Sequence, residues 1–147
     1  MVDIVVADRE AVRSLRLHPA NREEVKALVD LDEQAVLDLF ADTVEEVYEV
    51  KLDGVAACVM GVHAGAVSLM FAEWVDALPL SFFKKSREVV NELRQRYPEL
   101  GGHIYCHNHF SLRWARFLGF KIDPAQPYGP KQELFHRFYT EVSSDVP

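Results

Sequence analysis

The sequence predicts an α/β domain, with a mixed, largely antiparallel sheet that includes one parallel strand pair and is flanked by helices. Three observations lead there. From Tyr48 to Val75 the apolar pattern runs as strands and is broken twice, at Asp53-Gly54 and at His63-Ala64-Gly65. From Ser81 to Tyr97 the period changes to that of a helix. Gly101-Gly102 then turns the chain into a further apolar stretch, 103–107. Strand, helix, strand is a crossover unit, and its two strands should lie parallel.

The elements follow in order. Ile4-Val5-Val6 suits a first strand. Asp8 can cap a helix carrying Ala11, Val12 and Leu15, which His18-Pro19 should end. Asn21 and Glu24 have the spacing of a capping box ahead of Val25, Leu28 and Val29. Asp32 can open a third helix with Val36, Leu39 and Phe40 facing inward. Tyr48, Val50 and Leu52 alternate with Glu49 and Lys51 as on a half-buried strand, and Val55 to Val62 reads as a central strand. A third strand, 67–75, completes an antiparallel meander. The long helix starts at Pro79-Leu80-Ser81 and stops at Pro98; Phe82, Ser86, Val89, Val90, Leu93 and Tyr97 share its inner face. A strand over 103–107, a short helix, a loop over 123–132 and a last strand over 134–142 complete the chain.

Composition narrows the class. A chain of 147 residues, 49% hydrophobic and 27% charged, is expected to form one globular domain, 1–147, with a real core. No apolar run approaches the ~18–20 residues of a membrane span, and Asp3 with no basic stretch ahead of it is unlike a secretory signal. Cys58 and Cys106 sit in apolar runs, as suits a reducing cytoplasm, and make no disulfide or zinc pattern. Residues 1–53 carry 6 basic and 14 acidic side chains, whereas 54–147 carry 10 and 9. An acidic first part argues against a nucleic-acid partner there and would steer a cationic amine toward the protein, although a solvated, soluble face is the simpler explanation.

The most informative segment runs from Asn108 to Phe120. Asn108 and Ser111 can each accept from the free N–H groups of a first helical turn. Leu112, Ala115 and Leu118 form the inner stripe, widened by Trp114 and Phe117. Gly119 stands where a left-handed stop is needed, and Phe120 can close onto the last turn. A strand, an asparagine, a short helix, Gly-Phe and a strand resemble the C-terminal part of a GNAT-type N-acyltransferase domain. The element order resembles that fold over nearly the whole chain, whereas the likeness in sequence covers about the last third. Within that third, the helix with its Gly-aromatic close and the loop before a last aromatic strand also resemble the GNAT-related internal virion proteins of short-tailed phages.

The resemblance implies an acyl-CoA enzyme, with acetyl-CoA as cofactor and an amine-bearing small molecule or protein as acceptor. It implies that Asn108 and the strand edge at Tyr105 hold the pantetheine. It implies that the start of the long helix, with Ser81, Lys84 and Lys85, holds the phosphates. Free N–H groups there favour an anion, and cations in that turn oppose the helix dipole by ~0.3–1 kcal/mol each until an anion arrives. The family's glycine-rich approach is missing, since 74–83 contains no glycine and does contain Asp76. Position 115, where the family often has a tyrosine acid, is alanine; Tyr105, Tyr128 or Cys106 could substitute. For the base, Glu73 among Phe71, Ala72 and Trp74 is the first candidate, because apolar surroundings would suit a carboxylate to that role, and His107 beside Asn108 is the second. His103, His107, His109 and His136 lack a recognised metal spacing, and no metal is expected.

A second reading is a non-catalytic descendant of the fold. It would work in a phage particle or its assembly, in host cytoplasm or virion, through an apolar patch including Phe82, Phe83 or Trp114. A third is a small binding module with a groove at parted strands. The aromatic run Phe135, Phe138 and Tyr139 would permit a homodimer through the last strand, and a buried strand would explain it equally.

Overall fold

The computed structural model describes residues 1–140. The end of the expected last strand, 141–142, lies outside them. Strand β1 (Val2–Ala7) leads into three short helices, α1 (Arg9–Arg13), α2 (Pro19–Leu28) and α3 (Glu33–Thr43). The meander follows as β2 (Glu46–Leu52), β3 (Val55–His63) and β4 (Ala66–Phe71). Then come α4 (Leu80–Arg96), β5 (Gly101–Tyr105), α5 (His109–Phe117), β6 (Lys121–Ile122), β7 (Gln126–Tyr128) and β8 (Glu133–Tyr139). One sheet runs β1-β2-β3-β4-β5-β8-β6, with β7 also paired to β8. Every pair is antiparallel except β4–β5, which is parallel and registers only Ala66 with Gly101.

The local chemistry explains the elements. Both meander turns place two successive residues at positive φ, Asp53 and Gly54 at 50° and 82°, Ala64 and Gly65 at 48° and 83°. That is the primed geometry that matches strand twist and fixes register. Asp32 caps α3 by accepting from Ala35 N–H at 2.7 Å. Helix α5 stops as its sequence suggests: Gly119 has φ 82°, and Phe120 N–H donates to the Ala115 carbonyl at 3.1 Å.

Helix α4 buries Phe82, Phe83, Ser86, Val90 and Leu93 against the sheet. Phe71 meets Phe82 edge-on, and Trp114 stacks on Phe120. Phe82, Phe83 and Trp114 are therefore core residues, which corrects the idea of an exposed patch built on them. Phe135 and Phe138 are likewise buried in the chain's own core. No helix among the described residues is long and apolar enough to cross a membrane.

Several boundaries differ from expectation, and one is that Gly101 and Gly102, expected as a turn, already lie in β5. Strand β4 ends at Phe71 rather than Val75: Ala72 N–H still reaches Ala57 on β3, but Ala72 also bridges Leu17 and Glu73 N–H donates to Arg16, so the chain leaves the sheet there. The strand expected over 103–107 stops at Tyr105, so His107 lies in the turn beyond it. The expected loop 123–132 contains β7. His18-Pro19 begins a helix instead of ending one: the His18 side chain accepts from Ala20 N–H at 3.0 Å, and Pro19 takes the first helical position. Asn21 and Glu24 thus fall inside α2, where they are free to do something other than cap it.

Candidate functional site where two parallel strands part

After the single pair Ala66–Gly101, β4 and β5 separate, and their facing edges need other partners. Helix α2 supplies them. Asn21, 2% exposed, donates from Nδ2 to the Leu69 carbonyl at 2.9 Å and accepts from Phe71 N–H at 2.8 Å. His18 N–H, at the head of the same helix, donates to the Phe71 carbonyl at 2.9 Å. One turn along, Glu24 reaches the other strand. Its Oε2 accepts from Tyr105 N–H at 2.9 Å and from Asn108 Nδ2 at 3.0 Å. Asn108 is fully buried, and its Oδ1 accepts from Ser111 N–H at 3.3 Å as the cap of α5.

The carboxylate at this fork is unusual. Burial raises the Glu24 pKa to about 7, against hydrogen bonds from Tyr105, Asn108 and Asn21 that favour the charged form. Glu24 also borders a cavity of about 40 Å³ shared with Leu69, His103, Ser111 and Trp114. The Trp114 indole N–H is buried without a partner. The fork is therefore polar, adjoins a small cavity and is fitted with a group that can take or release a proton near neutrality.

The residues expected from sequence are placed unequally. Asn108 and Tyr105 are both at the fork, held by Glu24. His107 is exposed just past β5, with its ring edge-on to Tyr105 at 5.2 Å. Glu73 lies beyond the end of β4 and is 44% exposed, in an ion pair with Arg22 at 2.8 Å. The apolar surroundings expected for it are absent because the strand ends before reaching it. Ser81 and Lys84 are exposed on the first turns of α4. Lys85 instead turns to donate to the Val2 carbonyl on β1. Of the histidines, His103 stacks on Tyr128 and His136 bonds the Asp123 carbonyl, so they are engaged separately.

The head of α4 suits an anionic group. Its cap is Pro79, no side chain bonds its first N–H groups, and its first turn holds no acidic residue. Between α4 and α5, Arg113 lies over the Phe83 ring at 5.1 Å and Arg87 over Phe117 at 4.4 Å. Arg113, Asn21 and Glu24 escape sequence reasoning. For the last two a signal existed: proline at the first position of α2 marks its start better than Asn21 does.

Neither a family model nor a curated relative matches the sequence. Solved structures do match in shape. A ribosomal L7/L12 alpha-N-protein acetyltransferase in complex with coenzyme A superposes with TM-score 0.66 at 12% identity, over 98% of this chain and 96% of that one. A proposed acetyltransferase from Salmonella typhimurium with its cofactor acetyl-CoA gives 0.64 at 14% identity, over 99% and 96%. An acetyltransferase of the GNAT family from Streptococcus pneumoniae gives 0.54 at 13%, over 95% and 97%. The chain thus has the fold of the GNAT acetyltransferases.

Proposed function

We propose that the protein is an acyl-CoA-dependent N-acyltransferase whose reaction takes place where β4 and β5 part. The observation that carries this reading is the fork itself: one registered strand pair, then a gap holding Asn108 and a carboxylate with a pKa near 7. The fold shared with acetyl-CoA-holding structures supports it. The residues fit the cofactor in outline. The uncapped head of α4, with Ser81, Lys84 and Arg113 near it, would hold the phosphates, and Tyr105 and Asn108 would border the pantetheine. Bound there, acetyl-CoA would supply an acyl carbon activated as a thioester, with the thiolate as leaving group.

The chain's own part is to deliver a neutral amine. An ammonium must lose its proton before its nitrogen can bond to carbon. Glu24 is the best-placed acceptor, because its carboxylate is fixed by two donors and is about half ionised at pH 7. His107 and Glu73 are further candidates at the same end of the sheet, both open to solvent. The acidic first part of the chain would draw a cationic acceptor, an amine-bearing small molecule or a protein amino terminus.

Thermal unfolding with excess acetyl-CoA, followed by an assay on polyamines and amino-terminal peptides, tests the proposal. Saturation to 100 times Kd should add ~2.7 kcal/mol, several degrees for a domain of this size. No shift at millimolar cofactor would reject it in favour of a non-catalytic descendant of the fold. Two observations favour that second reading: no glycine in 74–83, and a β4 edge already occupied. Its partner would then be sought among phage-particle components.

A further inference from the structure

Strand edges left open at a fork are a ready template for an extended chain bearing amides, which would bond to them as another strand does. On β4 the groups in question are the Leu69 carbonyl and the Phe71 N–H. Both are held by one side chain. A carboxamide presents a carbonyl and an N–H in the geometry of a peptide group, so Asn21 bonds β4 as a missing strand residue would. We infer that Asn21 is a displaceable stand-in for ligand: it holds the β4 edge in the empty protein and yields Leu69 and Phe71 to the amide-bearing arm of acyl-CoA. This rests on the acyltransferase reading above.

Two features make displacement feasible. Glu24 stands one turn along α2, and its carboxylate already responds to the Asn21 amide, so Asn21 keeps an acceptor after letting go. The cavity of about 40 Å³ adjoining Leu69 and Glu24 gives the fork room for repacking. The exchange also accounts for a pair of buried strand groups that no neighbouring strand satisfies.

Asn21→Ala separates the possibilities. It removes the stand-in and leaves two edge groups unpaired, so the free protein should melt several degrees lower. Acetyl-CoA would restore those bonds without first evicting Asn21. It should therefore bind the variant roughly tenfold tighter or more and raise its melting temperature further than that of the unsubstituted protein. Adenosine 3′,5′-bisphosphate, which lacks the amide arm, should shift both proteins equally. An equal acetyl-CoA shift in both proteins would overturn the inference and leave the acyltransferase reading standing. No shift in the unsubstituted protein would overturn that reading and the inference with it. If the variant fails to fold, NMR on the unsubstituted protein decides. Acetyl-CoA should move the Asn21 side-chain amide and Phe71 N–H resonances, and unmoved resonances with cofactor bound would refute the exchange.

Discussion

Strand β4 has two edges that are held in opposite ways. Toward β3, every residue from Ala66 to Phe71 has a registered partner, so backbone pairs with backbone. Toward β5 there is one pair, after which side chains of α2 take over. A backbone ladder is indifferent to most side chains and tolerates substitution. A junction held by Asn21, Glu24 and Asn108 depends on each of them. The backbone-paired edge carries the fold, and the edge held by side chains is where the proposed chemistry is placed.

The largest effect expected from this contrast is catalytic. Glu24→Gln keeps the side chain's shape and removes its proton acceptor, so acyl transfer should fall by roughly 10²–10⁴-fold. If the proposed acyltransferase function holds, kcat/KM of the unsubstituted protein should rise as pH passes through about 7, where Glu24 ionises, and the variant should lose that limb. An unchanged profile would move the role to His107 or Glu73. Next in size is Asn108→Ala. It deletes the cap of α5, at about 0.5–2 kcal/mol, and a hydrogen bond to a carboxylate, at about 1.5–3 kcal/mol. A total of about 2–5 kcal/mol in urea unfolding, with weaker acetyl-CoA binding, would mark the fork as side-chain-dependent. Val55→Thr, on the exposed start of β3, should stay within about 0.5 kcal/mol.

The same contrast explains what could be read from the sequence. The meander was legible because Asp53-Gly54 and Ala64-Gly65 announce their turns locally, and β3 is apolar along its length. Helix α5 was legible for the same reason, with cap, stripe and stop all within 108–120. The fork joins residues far apart in the chain, Asn21 to Phe71 and Glu24 to Asn108. No local pattern encodes such a contact, and the local pattern that was present, Asn-x-x-Glu, imitates a helix cap. Glu73 failed the other way: its neighbours are apolar in sequence, but β4 ends at Phe71 and leaves it beside Arg22.

A smaller effect sharpens the role of Glu24 through stability. Its pKa rises on folding from an ordinary value near 4.5 to about 7. Between those values the native state holds a proton that the unfolded chain has released, so stability falls as pH rises through that window and levels off above it. The contribution is at most roughly 3–4 kcal/mol. Glu24→Gln cannot titrate, so its stability relative to the unsubstituted protein should improve by up to that amount between pH 4.5 and 8. Urea midpoints at the two pH values provide the measurement, and a constant difference would mean that the carboxylate is better solvated than its packing indicates.

The least costly test compares two glycines of the meander. Gly54 and Gly65 occupy equivalent turns with nearly equal φ, 82° and 83°. A Cβ at Gly54 would meet nothing within 4 Å, so Gly54→Ala should cost only the left-handed strain, about 1 kcal/mol. A Cβ at Gly65 would stand 2.4 Å from the Glu99 carbonyl oxygen, and the Gly65 carbonyl accepts from Gly101 N–H at 3.0 Å. Gly65 therefore sits at the apex of the fork, where the meander meets the approach to β5. Gly65→Ala must push that approach away and should cost about 2 kcal/mol more than Gly54→Ala. Because the apex sets where β4 and β5 begin to part, Gly65→Ala should also weaken acetyl-CoA binding, and Gly54→Ala should leave it unchanged. Equal effects of the two substitutions on binding would show that the fork is positioned by α2 alone, independently of the turn that begins it.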